Sequence, residues 1–430
     1  MTLAIAIGIL LAIFLGYVTR INIGFYAIAF AYLLGAFGLG LDTSEIINFW
    51  PINIFFVILT VTLFYGFAMV NGTLEKLAGH MLYAARRIPW ALPLIIFAAA
   101  TIIAALGAGF YTVVAFMAPM ALLLSRKTGL SMVISAMAVN YGALAGANFM
   151  TSQSGVIFRS LMGNAGIESS EAFGISTAIF VTTITIPIIV IGSYLIFFRK
   201  KLHIQIQPEK PEPFENKQKQ TLSLILVLMT LLLLVPILHI VFPDSAAIEF
   251  VNSKVDISFM AMIFVIISLL LRLGDEKKVI ASVPWNTLIM ISGVGMLIQV
   301  AIEAGVIDQL SDWVSTTIPL ALIPIIMVVI GMLMSLFAST LGVVAPALFP
   351  VVPGIALATG FSPMLLFVCV IVGAQASAIS PFSSGGSLIL GSAPKTIDQS
   401  VLFNDILFKA VPVGVGAALL AGIVMQVVLS

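Results

Sequence analysis

The sequence predicts an all-α integral membrane protein made of two inverted repeats, and three observations support this fold class. Of the 430 residues, 61% are hydrophobic and only 9% are charged, which leaves too few charges to cover a soluble domain. Apolar segments long enough to cross a bilayer follow one another along the whole chain. Sequence landmarks of the first half also return about 230 residues later, as an internal duplication would give.

Hydropathy predicts ten transmembrane helices and leaves two further apolar blocks. The first apolar stretch lacks a basic n-region and a small-residue cleavage site, so we interpret it as a span rather than a signal peptide. The ten spans are roughly 2–18, 22–40, 51–70, 130–163, 172–198, 221–242, 257–272, 282–302, 363–393 and 404–429. The other two blocks, 89–125 and 318–354, are predicted to form re-entrant helical hairpins.

Both ends of the first block are expected on the same side of the membrane. It is uncharged from 88 to 125 but is flanked by basic pairs at 86–87 and 126–127. Because basic residues are retained in the cytoplasm, both ends are expected there. The block then forms either two short spans or a re-entrant hairpin, and its uncharged middle favours a tip buried within protein.

The distribution of basic residues predicts the orientation of the chain. When the loops alternate across the membrane, all of the 19 Lys and Arg residues except Lys254 and Arg159 fall on the side of residues 199–220. That segment, rich in Pro, Lys and Glu, is therefore predicted to be a cytoplasmic linker, with both termini outside. We expect the protein in the plasma membrane, which is the inner membrane of a bacterium.

The linker separates two halves, 1–198 and 221–430, that share a repeat. The matched landmarks are Trp50-Pro51 with Pro284-Trp285, Pro119 with Pro350, and Ser154-Gly155 with Ser384-Gly385. Since each half holds five spans, an odd number, the second half must be inverted relative to the first. The charges agree, because the segment 71–88 is basic whereas 303–317 is acidic and has no Lys or Arg.

These two segments are also amphipathic at helical spacing. Leu74, Leu77 and Leu82 share one face of the first, and Val306 and Trp313 share one face of the second. Each segment is predicted either to lie flat at its membrane interface or to form a short solvated connector helix.

Polar residues concentrate where two of the spans are expected to break. The run 148–155 interrupts the fourth span, and the run 377–386, which contains Pro381 and paired glycines, interrupts the ninth. An unwound segment exposes carbonyl oxygens that suit a cation and amide groups that suit an anion. The alternative is that these small residues let helices cross closely, but two breaks at equivalent repeat positions favour a binding site.

Arg159 is the only charged residue between Lys127 and Glu168. Its guanidinium is predicted either to clamp a substrate carboxylate or to snorkel to the outer interface, and the sequence leaves both open. No charged residue lies between Trp313 and Pro394, so no carboxylate in the second hairpin or second break can relay protons.

The layout resembles the ion transporter superfamily, which includes the divalent anion:sodium symporters. The first half, with Asn22-Ile23-Gly24 opening the second span and 71–78 (Asn-Gly-Thr-Leu-Glu-Lys-Leu-Ala) after the third, is similar to the malonate and dicarboxylate carrier family. This resemblance implies a homodimer with an elevator mechanism and a sodium-coupled site between the hairpin tips and the breaks. The Ser-Asn-Thr motif that those symporters carry at each tip is missing here.

The resemblance and the breaks together give the candidate site residues. Expected substrate-binding residues are Gly109, Tyr111, Thr112, Asn148, Thr151, Ser152, Gln153, Arg159, Ser339, Thr340, Pro381, Ser383 and Ser384. Expected cation-binding residues are Gly107, Ser154, Gly155, Ser339, Gly342, Ser380 and Gly385. Sodium is the expected coupling ion, and no other cofactor or metal is predicted because the three histidines are widely separated.

The sequence therefore predicts a secondary transporter for a small dicarboxylate anion, malonate or a C4 acid, in the membrane as a homodimer. The alternative is a proton-coupled carrier or a cation/proton antiporter of the same architecture, which normally needs a titratable group at membrane depth. An intramembrane enzyme is disfavoured because no apolar span carries a group that activates water. Nucleic-acid binding is not expected, and a passive channel stays open.

Overall fold

The computed structural model describes residues 2–84, 88–198, 211–242, 245–336, 338–394 and 397–429. These residues form helices and connecting turns, without a β-strand in the described ranges. The all-α fold class is confirmed. Most of the predicted linker, 199–210, and the basic pair at 86–87 lie outside the described residues.

The α-helices of the first half follow the predicted apolar segments closely. They are α1 Thr2–Thr19, α2 Ile23–Tyr32, α3 Thr43–Asn48, α4 Ile52–Val70, α5 Thr73–Ala84, α6 Leu92–Ile103, α7 Gly109–Thr128, α8 Met132–Ala147, α9 Gln153–Asn164 and α10 Ser169–Phe198. Helix α2 continues as a π-helix over Leu33–Leu39, and a second π-type segment, Ala104–Ala108, joins α6 to α7.

The described part of the second half is also helical. Its α-helices are α11 Asn216–Val241, α12 Ala246–Lys254, α13 Ile257–Leu270, α14 Glu276–Ser282, α15 Trp285–Glu303, α16 Val306–Thr317, α17 Ile323–Ser335, α18 Ala345–Leu348, α19 Val352–Thr359, α20 Pro363–Ser377, α21 Ser384–Ser392, α22 Gln399–Asp405 and α23 Val411–Leu429. The amphipathic segments of the two halves form α5 and α16, as predicted.

Helix length alone identifies fewer membrane spans than hydropathy does. Within the described ranges, seven helices are long and apolar enough to cross a bilayer, or eight if the bent pair α12 and α13 forms one span. Five shorter apolar helices of 10–17 residues accompany them, including α8 and α20, the first halves of the two interrupted spans. The ten predicted spans remain a prediction, because an interrupted span is divided into pieces that are each too short.

Packing against α8 gives the relative directions of α6 and α7. A methyl group on Gly142 would touch the Phe97 carbonyl oxygen and one on Gly146 would touch the Thr101 carbonyl oxygen, so α6 runs parallel to α8. Helix α7 runs the other way, because it joins α8 through a short turn and the hydroxyls of Ser125 and Ser135 meet across that turn. The chain therefore reverses direction between α6 and α7.

The second half shows the same relation between α17 and α20. A methyl group on Gly373 would lie 2.0 Å from the Val328 carbonyl oxygen. The hydroxyl of Ser377 donates to the Met332 carbonyl oxygen at 2.7 Å, 45 residues earlier, which is the spacing of the α6–α8 contacts as well. These approaches need small residues, which lets the helices pack backbone to backbone.

Two pairs of helices pack across the two halves. Helix α2 crosses α15 at Gly24 and Gly293, where a methyl group on either residue would collide with the other helix's backbone. Helix α4 packs on α13 through aromatic contacts, among them Phe64 with Phe264 at a centroid distance of 5.5 Å. Each half thus contributes one helix to the other half's packing.

Candidate functional site

The reversal between α6 and α7 depends on two glycines. Gly107 has φ +97° and Gly109 has φ +70°, and both values lie in the left-handed region that other residues avoid. A methyl group on Gly107 would lie 1.9 Å from the Tyr65 ring, and one on Gly109 would lie 2.2 Å from the Gln153 amide oxygen. Glycine is therefore needed at both positions for conformation and for space.

The second reversal lies between α17 and the π-type turn Thr340–Val344. Ser339 begins that turn, and its hydroxyl accepts a hydrogen bond from the Gly342 amide at 3.2 Å. The hydroxyls of Ser335 and Thr340 lie 3.2 Å apart. A methyl group on Gly342 would lie 1.8 Å from the Met290 side chain, so this reversal packs against α15.

The first predicted break is non-helical over 148–152, between α8 and α9. The hydroxyl of Ser152 donates to the Ala104 carbonyl oxygen at 2.7 Å, which ties the break to the first reversal. The phenol of Tyr65 donates to the Thr151 carbonyl oxygen at 3.2 Å. Gln153, Ser154 and Gly155, which the sequence placed within the break, instead form the first turn of α9.

The second break covers 378–383, between α20 and α21. Ser383 begins α21, and its hydroxyl donates to the carbonyl oxygens of Ala378 and Ser380 while accepting from the Gly386 amide. The hydroxyl of Ser380 accepts from the Phe382 amide at 3.3 Å. These bonds stabilise the tight segment around the buried Pro381, which cannot continue a helix.

One small cavity lies where the two reversals and the two breaks meet. Its lining comprises Phe110, Tyr111, Leu144, Ser154, Phe158, Ser335, Ala338, Ser339, Thr340, Leu341, Gln375, Ala378, Ser383, Ser384 and Gly385. Hydroxyl groups and one amide supply the polar side chains, and none of these residues is charged. The starts of four helical segments, at α7, α9, Thr340 and α21, all contribute to the wall.

The cavity brings together only some of the predicted site residues. Tyr111, Ser154, Ser339, Thr340, Ser383, Ser384 and Gly385 line it. The other predicted residues do not line the cavity and lie in or next to the reversals and breaks. They are Gly107, Gly109, Asn148, Thr151, Ser152, Gln153, Gly155, Gly342, Ser380 and Pro381. The Thr112 hydroxyl points to the Met69 sulfur on α4, at 3.8 Å, rather than into the cavity.

Tyr111 connects three elements of the site. Its phenol oxygen lies 2.9 Å from the Ser339 hydroxyl at the second reversal. The same oxygen lies 3.3 Å from the Ser384 hydroxyl at the start of α21. One side chain of α7 therefore makes polar contacts with both the other reversal and the other half's break.

A chain of buried amides connects the two breaks. The side-chain amide of Gln375 on α20 donates to Asn148 Oδ1 at 3.0 Å, and Asn148 Nδ2 donates to the Thr183 hydroxyl at 3.0 Å. Gln375 also lines a separate, mostly apolar cavity of about 480 Å³ between α8, α10, α20 and α23. Sequence reasoning missed Gln375, because a single amide in an apolar run gives no signal by itself.

Arg159 lies outside the cavity. Its guanidinium carbon is 5.8 Å from the centre of the Phe173 ring on α10, and its Nε is buried without a hydrogen-bond partner in the described part of the chain. The two roles that the sequence leaves open, a carboxylate clamp and a snorkelling side chain, both stay predictions.

A wide vestibule of about 1,710 Å³ reaches the cavity from one side. Arg20, Asn22 and Asn286 line its outer part, and Tyr111, Ser339, Ser383 and Ser384 belong to both the vestibule and the cavity. A second hollow of about 1,470 Å³, lined by Trp50, Asn53, Asn164 and Gln299, shares no lining residue with the cavity. The cavity is therefore accessible from the vestibule with Arg20.

Oxygen donors for a small cation occur at the second break. A methyl group on Gly385 would lie 2.4 Å from the Ala378 carbonyl oxygen and 3.0 Å from Asn140 Oδ1, so both oxygens converge beside that glycine. Neutral carbonyl and amide oxygens suit a monovalent cation, as in the unwound helices of many transporters. Groups of His, Cys, Asp and Glu that could hold a transition metal are absent among the described residues.

Comparison with known proteins identifies the class of the molecule. Residues 1–147 match the family model for the N-terminus of the dicarboxylate carrier protein MatC. No curated protein sequence matches the chain. The resemblance of the first half to the dicarboxylate carrier family is thus confirmed, whereas the superfamily assignment remains a prediction.

Two solved structures of transporters are similar to this chain in fold. The YdaH transporter of Alcanivorax borkumensis is similar with a TM-score of 0.55 and 14% identity, over 88% of this chain and 86% of that chain. MtrF of Neisseria gonorrhoeae, described among antimetabolite efflux pumps, is similar with a TM-score of 0.57 and 13% identity, over 91% and 84%. The family match and the transporter fold indicate a membrane transporter and not an enzyme.

Proposed function

We propose that this protein is a secondary active transporter of a small dicarboxylate. In support, its first 147 residues match the family model of a dicarboxylate carrier, and its fold is that of membrane transporters. Malonate and C4 dicarboxylates are the expected substrates, and sodium is the expected coupling ion. The observation that carries the proposal is the uncharged, hydroxyl-lined cavity at which both reversals and both breaks meet.

The cavity suits carboxylate groups because of its helix starts. Free amide groups at the N-terminal end of a helix, together with the helix dipole, favour an anion. Here the starts of α7, α9 and α21 all contribute lining residues, so several groups of helix-start amides are available to the two carboxylates. The hydroxyls of Tyr111, Ser339 and Ser384 are placed to donate to them.

The charge balance supports sodium coupling. A dicarboxylate carries two negative charges, and none of the residues lining the cavity is a Lys, Arg or His that would neutralise them. Moving uncompensated charge through a membrane interior is costly. Co-transported cations bound to the oxygen donors of the breaks would offset that cost, since unwound segments supply carbonyl ligands.

For the architecture we propose ten spans, two re-entrant hairpins and two inverted repeats, 1–198 and 221–430. Support comes from the matching contacts of α6 with α8 and of α17 with α20, which share one residue spacing. Support also comes from contacts between the two halves, because α2 packs on α15 and α13 packs on α4. In this proposal a homodimer works by an elevator mechanism, in which the hairpins and broken helices move against the other spans.

For the orientation we propose that both termini lie outside a bacterial inner membrane and that the linker 199–220 is cytoplasmic. The excess of basic residues on the linker side supports this. Arg20, which lines the vestibule, belongs to that side. The conformation described here is then the inward-facing one, with the cavity open to the cytoplasm.

The competing proposal is proton coupling, in a carrier or in a cation/proton antiporter. It requires a titratable group near the substrate, and no Asp, Glu or His is among the lining residues of the cavity. The same absence of charged groups that favours sodium therefore weighs against the proton.

Thermal stabilisation of the purified protein tests this proposal. Ligands that bind the folded state raise its apparent stability by mass action. We expect malonate or succinate to raise the melting temperature more in sodium than in potassium, and monocarboxylates and citrate to have little effect. Equal stabilisation by mono- and dicarboxylates, or by none of them, would contradict the proposal.

A further inference from the structure

Asn140 is a fully buried amide to which the described residues supply no hydrogen-bond partner. It lies in the middle of α8 with 0% of its surface exposed, and neither Nδ2 nor Oδ1 has a hydrogen-bond partner in the described residues. An amide offers two donors and an oxygen with two lone pairs, and burying such a group unpaired costs free energy. A bound ion or water would satisfy this amide, which makes it a candidate ligand-binding group.

The oxygen of this amide is directed at the second break. A methyl group built on Gly385 would come within 3.0 Å of Asn140 Oδ1, 2.4 Å of the Ala378 carbonyl oxygen and 2.9 Å of the Phe110 ring. Glycine at this position keeps the two oxygens on either side of a small space that Phe110 closes. The Ala378 oxygen already accepts from Ser383, but a carbonyl oxygen retains a second lone pair.

The first break has no matching amide side chain beside it. Aligning Gly155 with Gly385 places the apolar Val370 at the position that corresponds to Asn140. The three atoms nearest to a methyl group built on Gly155 are backbone atoms of 148–149. The amide is therefore not required by the repeated architecture, and it adds an oxygen ligand to one break only.

We propose that Asn140 Oδ1 is a ligand of the coupling cation, together with the Ala378 carbonyl oxygen, at a site beside Gly385 and next to the substrate cavity. The inference rests on the proposed sodium coupling. The site is buried and formed by neutral oxygens, which suits Na⁺ rather than a divalent ion. Cation binding here stabilises the second break, where α21 begins at Ser384 in the wall of the cavity.

Sodium alone is the probe for the test, so the result does not depend on transport. The melting temperature of the full-length protein in detergent is measured against NaCl, with choline chloride holding the ionic strength constant. We expect saturable stabilisation of the wild type by Na⁺ and at least an approximately tenfold weaker apparent affinity in Asn140→Leu, because one ligand of a charged group is lost.

Ser292→Ala is the matched control, since Ser292 is another buried polar side chain without a hydrogen-bond partner and lies on α15 rather than beside the break. It should retain the wild-type affinity for Na⁺. Unchanged Na⁺ affinity in Asn140→Leu would overturn the inference and leave the amide with bound water only. The absence of any Na⁺ effect on the wild type would overturn it as well.

Asn140→Asp covers the case in which Asn140→Leu does not fold. A carboxylate oxygen in the same place should bind Na⁺ at least as tightly as the amide, while equal stabilisation of this variant by Na⁺ and K⁺ would contradict the assignment. Adding malonate or succinate to parallel samples separates the two proposals. Dicarboxylate stabilisation without a sodium effect preserves dicarboxylate binding and rejects the cation site.

Discussion

The phenol oxygen of Tyr111 lies 2.9 Å from the hydroxyl of Ser339, although the two residues are 228 positions apart in the chain. Tyr111 belongs to the first reversal of the chain and Ser339 to the second. Their contact closes the cavity between the two halves, and Ser384 at 3.3 Å extends it to the second break. This polar cluster is the point at which substrate and both repeats are expected to meet.

Removing the Tyr111 hydroxyl should weaken substrate binding. A single hydrogen bond contributes roughly 0.5–1.5 kcal/mol, so Tyr111→Phe is expected to raise the KM for dicarboxylate uptake about 3- to 10-fold. The ring remains and the fold should be unaffected. Tyr32→Phe, at the exposed last residue of α2, is the control and should leave the KM unchanged. An unaltered KM in Tyr111→Phe would show that the Tyr111 hydroxyl does not bind substrate.

The first reversal should not tolerate a side chain at Gly107. A methyl group there meets the Tyr65 ring at 1.9 Å, in addition to the strain of φ +97°. Gly129 also has a positive φ, +71°, but has no atom within 4 Å of the added methyl group. Gly129→Ala should therefore cost only the backbone strain, about 1–2 kcal/mol.

We expect Gly107→Ala to abolish uptake and to lower the melting temperature well below that of Gly129→Ala. The comparison is made on purified protein and in proteoliposomes. Equal melting temperatures and uptake rates in the two variants would show that Tyr65 does not pack against Gly107 as described.

The amide chain between the breaks should matter for stability. Asn148→Ala leaves the Gln375 amide without its partner, which costs roughly 1–3 kcal/mol for a buried group left unsatisfied, whereas the Thr183 hydroxyl still donates to the Ile179 carbonyl oxygen. The melting temperature and the uptake rate should both fall. Asn216→Ala, at the exposed start of α11, should change neither. A fully stable Asn148→Ala would indicate that the breaks are not held together by this chain of hydrogen bonds.

Arg159 provides a test of the two roles that the sequence left open. Its guanidinium lies over Phe173 and outside the cavity, so Arg159→Gln should leave the KM for dicarboxylates unchanged while lowering stability or maximal rate. Arg159→Lys, which retains the charge, should be closer to the wild type. A KM raised tenfold or more in Arg159→Gln, with unchanged stability, would instead support the carboxylate clamp.

Sequence patterns predicted the reversals and the breaks because glycine, proline and hydroxyl residues interrupt otherwise continuous apolar runs. They placed Gly107, Ser152 and Ser383 in or beside non-helical segments correctly. They did not predict which of those residues face the cavity. Asn140 and Gln375 lie within unbroken helices, and their importance depends on the neighbouring helices brought beside them, which periodicity does not report. Arg159 was ambiguous for the same reason.

The direction of access can be tested with the single native cysteine removed. Cys369 is buried, and Cys369→Ala gives a background for introducing cysteines. Ser384→Cys lies in both the cavity and the vestibule, whereas Gln299→Cys lies in the opposite hollow.

With a membrane-impermeant maleimide, Ser384→Cys should react from the linker side and be protected by dicarboxylate with sodium. Gln299→Cys should react from the other side and be unprotected. Faster labelling of Ser384→Cys from the Gln299 side would contradict the inward-facing assignment.

The central claim is that the chain moves a dicarboxylate at the expense of a sodium gradient. Its most direct test is uptake of labelled malonate and succinate into proteoliposomes, with an inward sodium gradient, with sodium equal on both sides, and with potassium in place of sodium. We expect at least one of the two acids to accumulate above equilibrium only under the sodium gradient, with Tyr111→Phe impaired. No uptake of either acid in any condition, or uptake driven equally well by a proton gradient without sodium, would contradict the claim.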